Sequence, residues 1–359
     1  MMAAACTGCR NCHADLGFKT APSGGRFLGK GGTMNKLIVS IAAGLLGMGT
    51  AAMAADMPAK APRKAVEVSP WDIAFGGALM SDYNFRGISQ SDRGPSVTAY
   101  VETRYTVNPS LQLYAGSQYW SVDLPTGTSC ECDFYAGFRP TVGPLAFDFG
   151  FIYYWYPRER QVFQTAPFAA FPAPVGNIGS STFFNTGTAW TPNDGLDYWE
   201  VYGKVTWDVI KDKFALGANF YYSPDWLGSG AYGFYASGTA KLTMQSFKFP
   251  TIMGVKEIGW YISGEVGHYS LGTADNFLGL GTFALPDYWT WNLGVAFTQG
   301  VFTLDFRYYD TDLSKGECLV LTADLRGMVD GTSPGQSKWC NPTFIVATKF
   351  DLTVLTNVK

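Results

Sequence analysis

The sequence predicts an all-β protein: a transmembrane, antiparallel, up-and-down β-barrel of about twelve strands. Three observations predict it. Short segments alternate apolar and polar residues, tight and long connections take turns between them, and an export-type segment precedes them all. The segment from Tyr198 to Val209 is the clearest. Trp199, Val201, Val205, Trp207 and Val209 fall on one side, and Tyr198, Glu200, Tyr202, Lys204, Thr206 and Asp208 on the other. A period of two gives a strand with one greasy and one wet face.

Composition agrees. Charged residues make up 15% of the chain, against roughly 25% in a soluble domain. A soluble β-sandwich also alternates, but carries more charge. Aromatics reach 16% and glycines number 42, while the net charge of −3 argues against a nucleic-acid partner.

The N-terminal residues stand apart from the fold. Met34 to Ala55 has a short positive end at Lys36, an apolar stretch from Leu37 to Gly49, and the small-residue cleavage pattern Ala52-Met53-Ala54. Residues 34–55 therefore read as a signal peptide rather than a membrane helix, because the run is Gly-rich and ends at a cleavage site. Residues 1–33 read as an upstream extension, with Met34 the natural start. That extension holds Cys9-Arg10-Asn11-Cys12-His13, the spacing of haem attachment, and Cys6 adds a zinc alternative. Both lie on the side of the signal that processing removes. Residues 56–70 form a Pro-, Lys- and Ala-rich periplasmic leader, and residues 71–353 the outer-membrane barrel.

Within the barrel, strands are expected near 71–85, 96–107, 110–121, 132–141, 145–156, 198–209, 213–223, 233–247, 258–270, 287–298, 301–310 and 343–352. An even number leaves both termini on the periplasmic side. Asn108-Pro109, Val142-Gly143-Pro144, Lys211-Asp212 and Gln299-Gly300 supply tight turns. Longer loops near 86–95, 122–131, 157–197, 224–232, 271–286 and 311–342 belong to the extracellular side. The turn around 248–257 is the least marked.

Parity assigns the faces. Ile73, Phe75, Leu79, Phe147, Phe149, Phe151, Trp289, Trp291, Leu293, Val295 and Phe297 face lipid, with Phe302, Leu304, Phe306 and Tyr308. Aromatics near strand ends, Tyr153 to Tyr156, Trp199, Trp207 and Trp289, suit the headgroup level. On the opposite parity lie Asp72, Asp82, Glu102, Asp133, Asp148, Glu200, Asp208, Glu265 and Asp305, with Arg86, Arg104, Arg139, Lys204, Lys241, Arg307 and Lys349. Asp82, Arg86, Glu102, Arg104, Asp148, Glu200, Lys204, Glu265, Asp305 and Arg307 are the candidate pore-lining set. A twelve-strand barrel has a backbone diameter of roughly 24 Å, cut by side chains to about 10 Å or less. The balance of signs fits either a weakly selective pore or a salt-bridged, closed interior.

The run from Ser81 to Asp92, SDYNFRGISQSD, resembles the signature of the TorF porin family. Similar stretches follow in order: IYYWYP from Ile152, DYWEVY from Asp197, YYSPDW from Tyr221, and DYWTWNLGVAF to YYDTDL between Asp287 and Leu313. The resemblance spans the barrel and implies a twelve-strand outer-membrane protein for passive permeation. Two features depart from it: the long loops 157–197 and 311–342 are extra, and the chain runs on past Phe350.

Four cysteines follow the signal. Cys318 with Cys340 is the favoured disulfide, whereas Cys130 and Cys132 are awkwardly close for each other, which opens cross-loop pairing. One enzymatic pattern is present. His268 and Ser270 share a strand face at i, i+2, on the lipid side, as in outer-membrane phospholipase A, but no orienting partner is evident beyond nearby Asn276. The reading is an outer-membrane porin-like channel for small hydrophilic solutes or ions, with no catalytic residues, cofactor or metal. Its partners are outer-membrane lipids and the barrel-assembly machinery. The alternatives are an interfacial lipid hydrolase using His268 and Ser270, and a closed structural or adhesion barrel.

Overall fold

The computed structural model describes residues 69–158, 196–251, 254–275, 282–324, 326–327 and 335–357. The signal segment, the CxxCH motif, most of the 157–197 loop and Asn276 lie outside them.

Each alternating segment pairs with its sequence neighbours, and the pairing closes. The strands are β1 (Trp71–Met80), β2 (Asn84–Phe85), β3 (Ile88–Ser89), β4 (Ser96–Asn108), β5 (Leu111–Trp120), β6 (Glu131–Val142), β7 (Leu145–Trp155) and β8 (Tyr198–Ile210). They continue as β9 (Phe214–Ser223), β10 (Gly233–Thr251), β11 (Gly254–Leu271), β12 (Thr273–Ala274), β13 (Phe283–Ala284), β14 (Tyr288–Gln299), β15 (Phe302–Thr311) and β16 (Thr343–Thr353). Helix α1 (Lys315–Thr322) lies between the last two strands, and α2 (Val354–Asn357) follows β16. Twelve of the strands form one closed barrel in the order β1-β16-β15-β14-β11-β10-β9-β8-β7-β6-β5-β4. Neighbouring barrel strands are antiparallel throughout, and β1 pairs with both β4 and β16. This is the up-and-down barrel that the period-two pattern predicts. The minor pairs β2–β3 and β12–β13 lie in the connections.

The outward face carries exposed apolar side chains such as Leu79, Phe151, Trp289, Leu293, Phe302 and Phe344. A belt of this kind is stable only against lipid or detergent. The inward face is a polar core, in which tyrosines lie over glycines of adjacent strands. At Gly137 a Cβ would fall on the Tyr114 hydroxyl and the Phe149 carbonyl oxygen.

Two boundaries differ from expectation. β1 stops at Met80, not residue 85, because the chain turns into the barrel there: the Ser81 amide donates to Val346, and Tyr83 and Gln90 close a loop on themselves. β10 and β11 run to Thr251 and from Gly254. Beyond Leu242 and Gly259 these strands lose their outer partners and pair only with each other, in a two-stranded ribbon past the turn end. With no face of the ribbon buried, the alternation that marks a barrel strand fades there. Replacing Gly137 by Val is expected to destabilise the barrel by about 1–3 kcal/mol through overpacking, read as a lower unfolding midpoint in detergent.

Candidate functional site

Residues 81–95 fold inward as a hairpin. β2 and β3 pair Asn84 with Ser89 and Phe85 with Ile88, leaving Arg86 and Gly87 at the tip with φ of 48° and 92°. Positive φ at both central residues is the geometry of tight hairpin turns that favour Asn-Gly. An arginine there is strained, by about 1–3 kcal/mol. Its side chain accounts for its presence. The Arg86 guanidinium meets both carboxylate oxygens of Glu200 at 2.7 Å. It also lies 4.6 Å from the ring centres of Phe85, Tyr221 and Tyr235, and 4.9 Å from that of Tyr269. Glu200 has no exposed surface and takes a further hydrogen bond from the Tyr154 hydroxyl at 2.9 Å. The Tyr288 hydroxyl donates to the Arg86 carbonyl oxygen at 3.1 Å.

The walls of this cage belong to five strands. Tyr154 stands on β7, Glu200 on β8, Tyr221 on β9, Tyr235 on β10 and Tyr269 on β11. Only Arg86 and Phe85 come from the loop. Beside the cage, Glu131 accepts hydroxyl hydrogen bonds from Tyr83 at 2.6 Å and Tyr156 at 2.8 Å. Tyr83 stacks on Trp120 with ring centres 4.1 Å apart, and the Trp120 indole donates to Asp133 at 3.2 Å. At the base of the hairpin, Asp82 accepts from the Ser89 and Ser91 hydroxyls at 2.6 and 3.0 Å. Burial pushes its carboxyl up, against the lowering effect of those two hydroxyls.

The hairpin is also held by the last long loop. Ser89 donates its amide to the Trp339 carbonyl oxygen, and the Trp339 indole donates to Asp92 at 2.9 Å. Arg93 donates to the carbonyl oxygens of Asn341 and Pro342 at 2.9 and 3.0 Å. The 311–342 loop that supplies these groups is shaped by α1 and by a disulfide between Cys318 and Cys340. Ser314 and Glu317 form a reciprocal capping box at the start of α1. Ile88, Trp226, Leu285, Leu319, Trp339 and Cys340 share one buried apolar cluster with Tyr154, Tyr235 and Tyr269. The loop end is thus filled as a soluble core is.

A second polar cluster sits further toward the turn end. Glu102 meets Arg104 at 2.5 Å and Arg139 at 2.8 and 3.0 Å, and Arg139 reaches Asp148 at 3.4 Å. The Arg139 guanidinium lies 3.7 Å from the centre of the Tyr114 ring, and the Tyr114 hydroxyl bonds Asp148 and Tyr202. Lys204 stands 4.6 Å over the Tyr202 ring. On the opposite wall, Arg307 holds Asp305 at 3.1 and 3.2 Å, Asn292 at 2.7 Å and the Ser263 hydroxyl at 2.8 Å.

The structure therefore sorts the sequence's candidate lining set into three groups: Arg86 with Glu200 in the mouth; Glu102, Arg104 and Asp148 with Lys204 below; and Asp305 with Arg307 across. Glu265 joins the mouth by accepting from the Tyr235 hydroxyl at 3.0 Å. Asp82 belongs to the loop rather than to a wall. Asp208 is exposed at the turn end, and Asp72 accepts the Leu355 amide at the start of α2. Sequence reasoning put Tyr198 and Tyr202 on the inner side but passed over Glu131 and the other inward tyrosines. Tyr154 and Tyr156 face the mouth rather than a headgroup, a placement that their shared parity with the charged positions would have signalled.

Cys130 bonds Cys132 directly, with Cα atoms 5.8 Å apart. That separation is ordinary for a disulfide, so the one-residue spacing that suggested a cross-loop partner is accommodated where β6 begins. His268 and Ser270 lie on the outer face, the hydroxyl 3.2 Å from Nδ1. The His268 ring packs on Trp289, its cross-strand neighbour, with ring centres 4.7 Å apart. Among the described residues no group of three or more His, Cys, Asp or Glu is placed to hold a metal ion.

A family model described as "Bacterial protein of unknown function (Gcw_chp)" matches residues 64–198. Among curated proteins none matches the chain in sequence. Similar solved structures include the COG4313 outer membrane channel from Pseudomonas putida F1, at 10% identity and a TM-score of 0.37, covering 82% of this chain and 100% of that one. Another is a loop-deletion mutant of OmpT, an outer membrane protein of Vibrio cholerae, at 12% identity and a TM-score of 0.31, with coverage of 79% and 100%. A bacterial polysaccharide outer membrane secretin aligns at 9% identity and a TM-score of 0.32, covering 80% and 98%. At such scores the strand order, not the likeness, carries the fold.

Replacing Cys318 and Cys340 by Ser is expected to cost about 3 kcal/mol, as for a closed loop of this length. Amide exchange at Ser89 should then accelerate, measured by hydrogen–deuterium exchange.

Proposed function

We propose that this protein is an outer-membrane channel for small hydrophilic solutes or ions whose resting state is closed by its own 81–95 hairpin. The observation that carries this reading is the Arg86–Glu200 pair. An arginine carried by a strained hairpin tip is bound by a carboxylate and aromatic rings of the barrel wall. The hairpin spans the lumen where a solute would pass, so the pore reading and the closed reading become two states of one barrel. The polar inward face supports a hydrated path once the hairpin moves, because apolar walls would not solvate one. Export to the outer membrane through a cleaved signal peptide, and insertion by the barrel-assembly machinery, belong to the same proposal. So does the kinship with TorF porins, which the motifs between Ser81 and Leu313 support.

The test is planar-bilayer conductance of the full-length protein purified in detergent. Wild-type barrels are expected to conduct rarely and in small steps. Arg86→Ala is expected to raise open probability by about tenfold or more, given about 3–5 kcal/mol for breaking a buried ion pair. Its reversal potential in a salt gradient should shift toward cation selectivity, because Glu200 then faces the lumen unpaired. Folded barrels that never conduct in either form would overturn the channel. Phospholipid hydrolysis that is lost on His268→Ala would replace it with the hydrolase.

A further inference from the structure

We infer that the cage around Arg86 is a binding site for small guanidinium cations, held shut by a tethered copy of its own ligand. This deepens the channel reading by naming a solute class, and rests on it only for passage through the barrel.

The division of labour between wall and loop points to this. Glu200, Tyr221, Tyr235 and Tyr269 stand on four consecutive barrel strands, so the backbone beneath them is fixed by the sheet whether or not the hairpin is seated. Together they offer a carboxylate with both oxygens presented and three aromatic faces within 4.9 Å of one point. That combination recognises a planar, delocalised cation. The carboxylate takes two parallel N–H donors, and the rings take the faces of the guanidinium plane. A quaternary ammonium could use the rings but has no N–H to give Glu200. A sodium ion gains little from the rings.

The charge around the site favours a cation as well. Glu131, which takes the Tyr83 and Tyr156 hydroxyls beside the cage, adds a second acid within electrostatic reach of Arg86 and Glu200. With Arg86 withdrawn, Glu200 would be an unpaired, deeply set carboxylate, which a diffusible cation would relieve.

The tether is suited to release. Arg86 occupies a backbone region that disfavours it, at a φ of 48°, so part of the cage's attraction is spent holding the turn. The seating is also tight at the tip, where a Cβ on Gly87 would fall on Thr290 and Thr311. Displacing the tip breaks contacts between hairpin and wall but no strand pairing of the barrel, because Arg86 is carried by the hairpin and Glu200 by β8. A free guanidinium that competes with Arg86 both occupies the site and frees the hairpin, which makes the solute its own opener.

The test is isothermal titration of N-methylguanidinium into the full-length, detergent-purified protein, with tetramethylammonium and sodium chloride at matched ionic strength as comparators. Arg86→Ala should bind methylguanidinium saturably at one site while the wild type binds it at least about tenfold more weakly. Adding Glu200→Gln to Arg86→Ala should weaken binding by roughly tenfold or more. Gly87→Val, which unseats the tip and leaves every wall residue of the cage unchanged, should also gain binding over the wild type. Folded Arg86→Ala without saturable binding, or binding of tetramethylammonium equal to that of methylguanidinium, would overturn the assignment. So would failure of both Arg86→Ala and Gly87→Val to form a barrel, since the cage would then depend on the loop. The heat of binding is read without conduction. A barrel that binds and never conducts would keep the site and remove the channel, and one that conducts without binding would do the reverse.

Discussion

Closure of the sheet is the constraint on which the rest of this molecule depends. With β1 hydrogen-bonded to both β4 and β16, no strand has an open edge within the closed ring, and the backbone there can sit in lipid without unsatisfied groups. Closure also divides the side chains in two. Those outside must be apolar, and those inside have no bulk water to fall back on beyond what the lumen admits. Every charge carried on the inner face is then obliged to find a partner across or along the barrel. The clusters around Glu102, Glu200 and Asp305 are that obligation met.

The two ends meet it differently. Toward the turns, Arg139 draws on Glu102, Asp148 and Gln112, and Arg307 on Asp305, Asn292 and Ser263, all carried by nearby wall strands. At the loop end the wall offers acids in excess, and the arginine that balances Glu200 comes from a segment that is not part of the wall. The difference has a simple physical meaning. A pair fixed on neighbouring strands separates only if the sheet breaks, whereas a pair between wall and loop separates when the loop moves.

The fold was legible because its signal is local. From Ser96 to Thr353, period-two alternation placed the strands near their observed ends, since a half-buried strand writes its environment into every second residue. The signal faded where that condition failed. In the ribbon beyond Leu242 neither face is buried, and at Met80 the chain leaves the wall altogether. The inward path of Asp82 to Gly94 left no trace in periodicity, because it is fixed by Val346, Trp339 and Asn341, more than 240 positions away in the chain. The candidate site was legible in part for the same reason. Parity put Glu200 and Lys204 on the inner face, but which base answers which acid depends on the cross-strand register and on that hairpin. At Tyr154 and Tyr156 two signals disagree: a place near a strand end suits a membrane boundary, whereas parity with Asp148 points into the mouth, and parity is the one that holds.

The contacts between the 81–95 hairpin and the 311–342 loop join the first and last long connections of the barrel. They lie beside the seam where β1 meets β16, the one pairing that links the two ends of the folded chain. Ser89 and Trp339 are 250 positions apart, and the β1–β16 pairs beside them are farther apart still. The seal over the mouth and the closing seam of the barrel thus draw on the same two ends of the chain, so the lock on the lumen is tied to the joint that makes the ring.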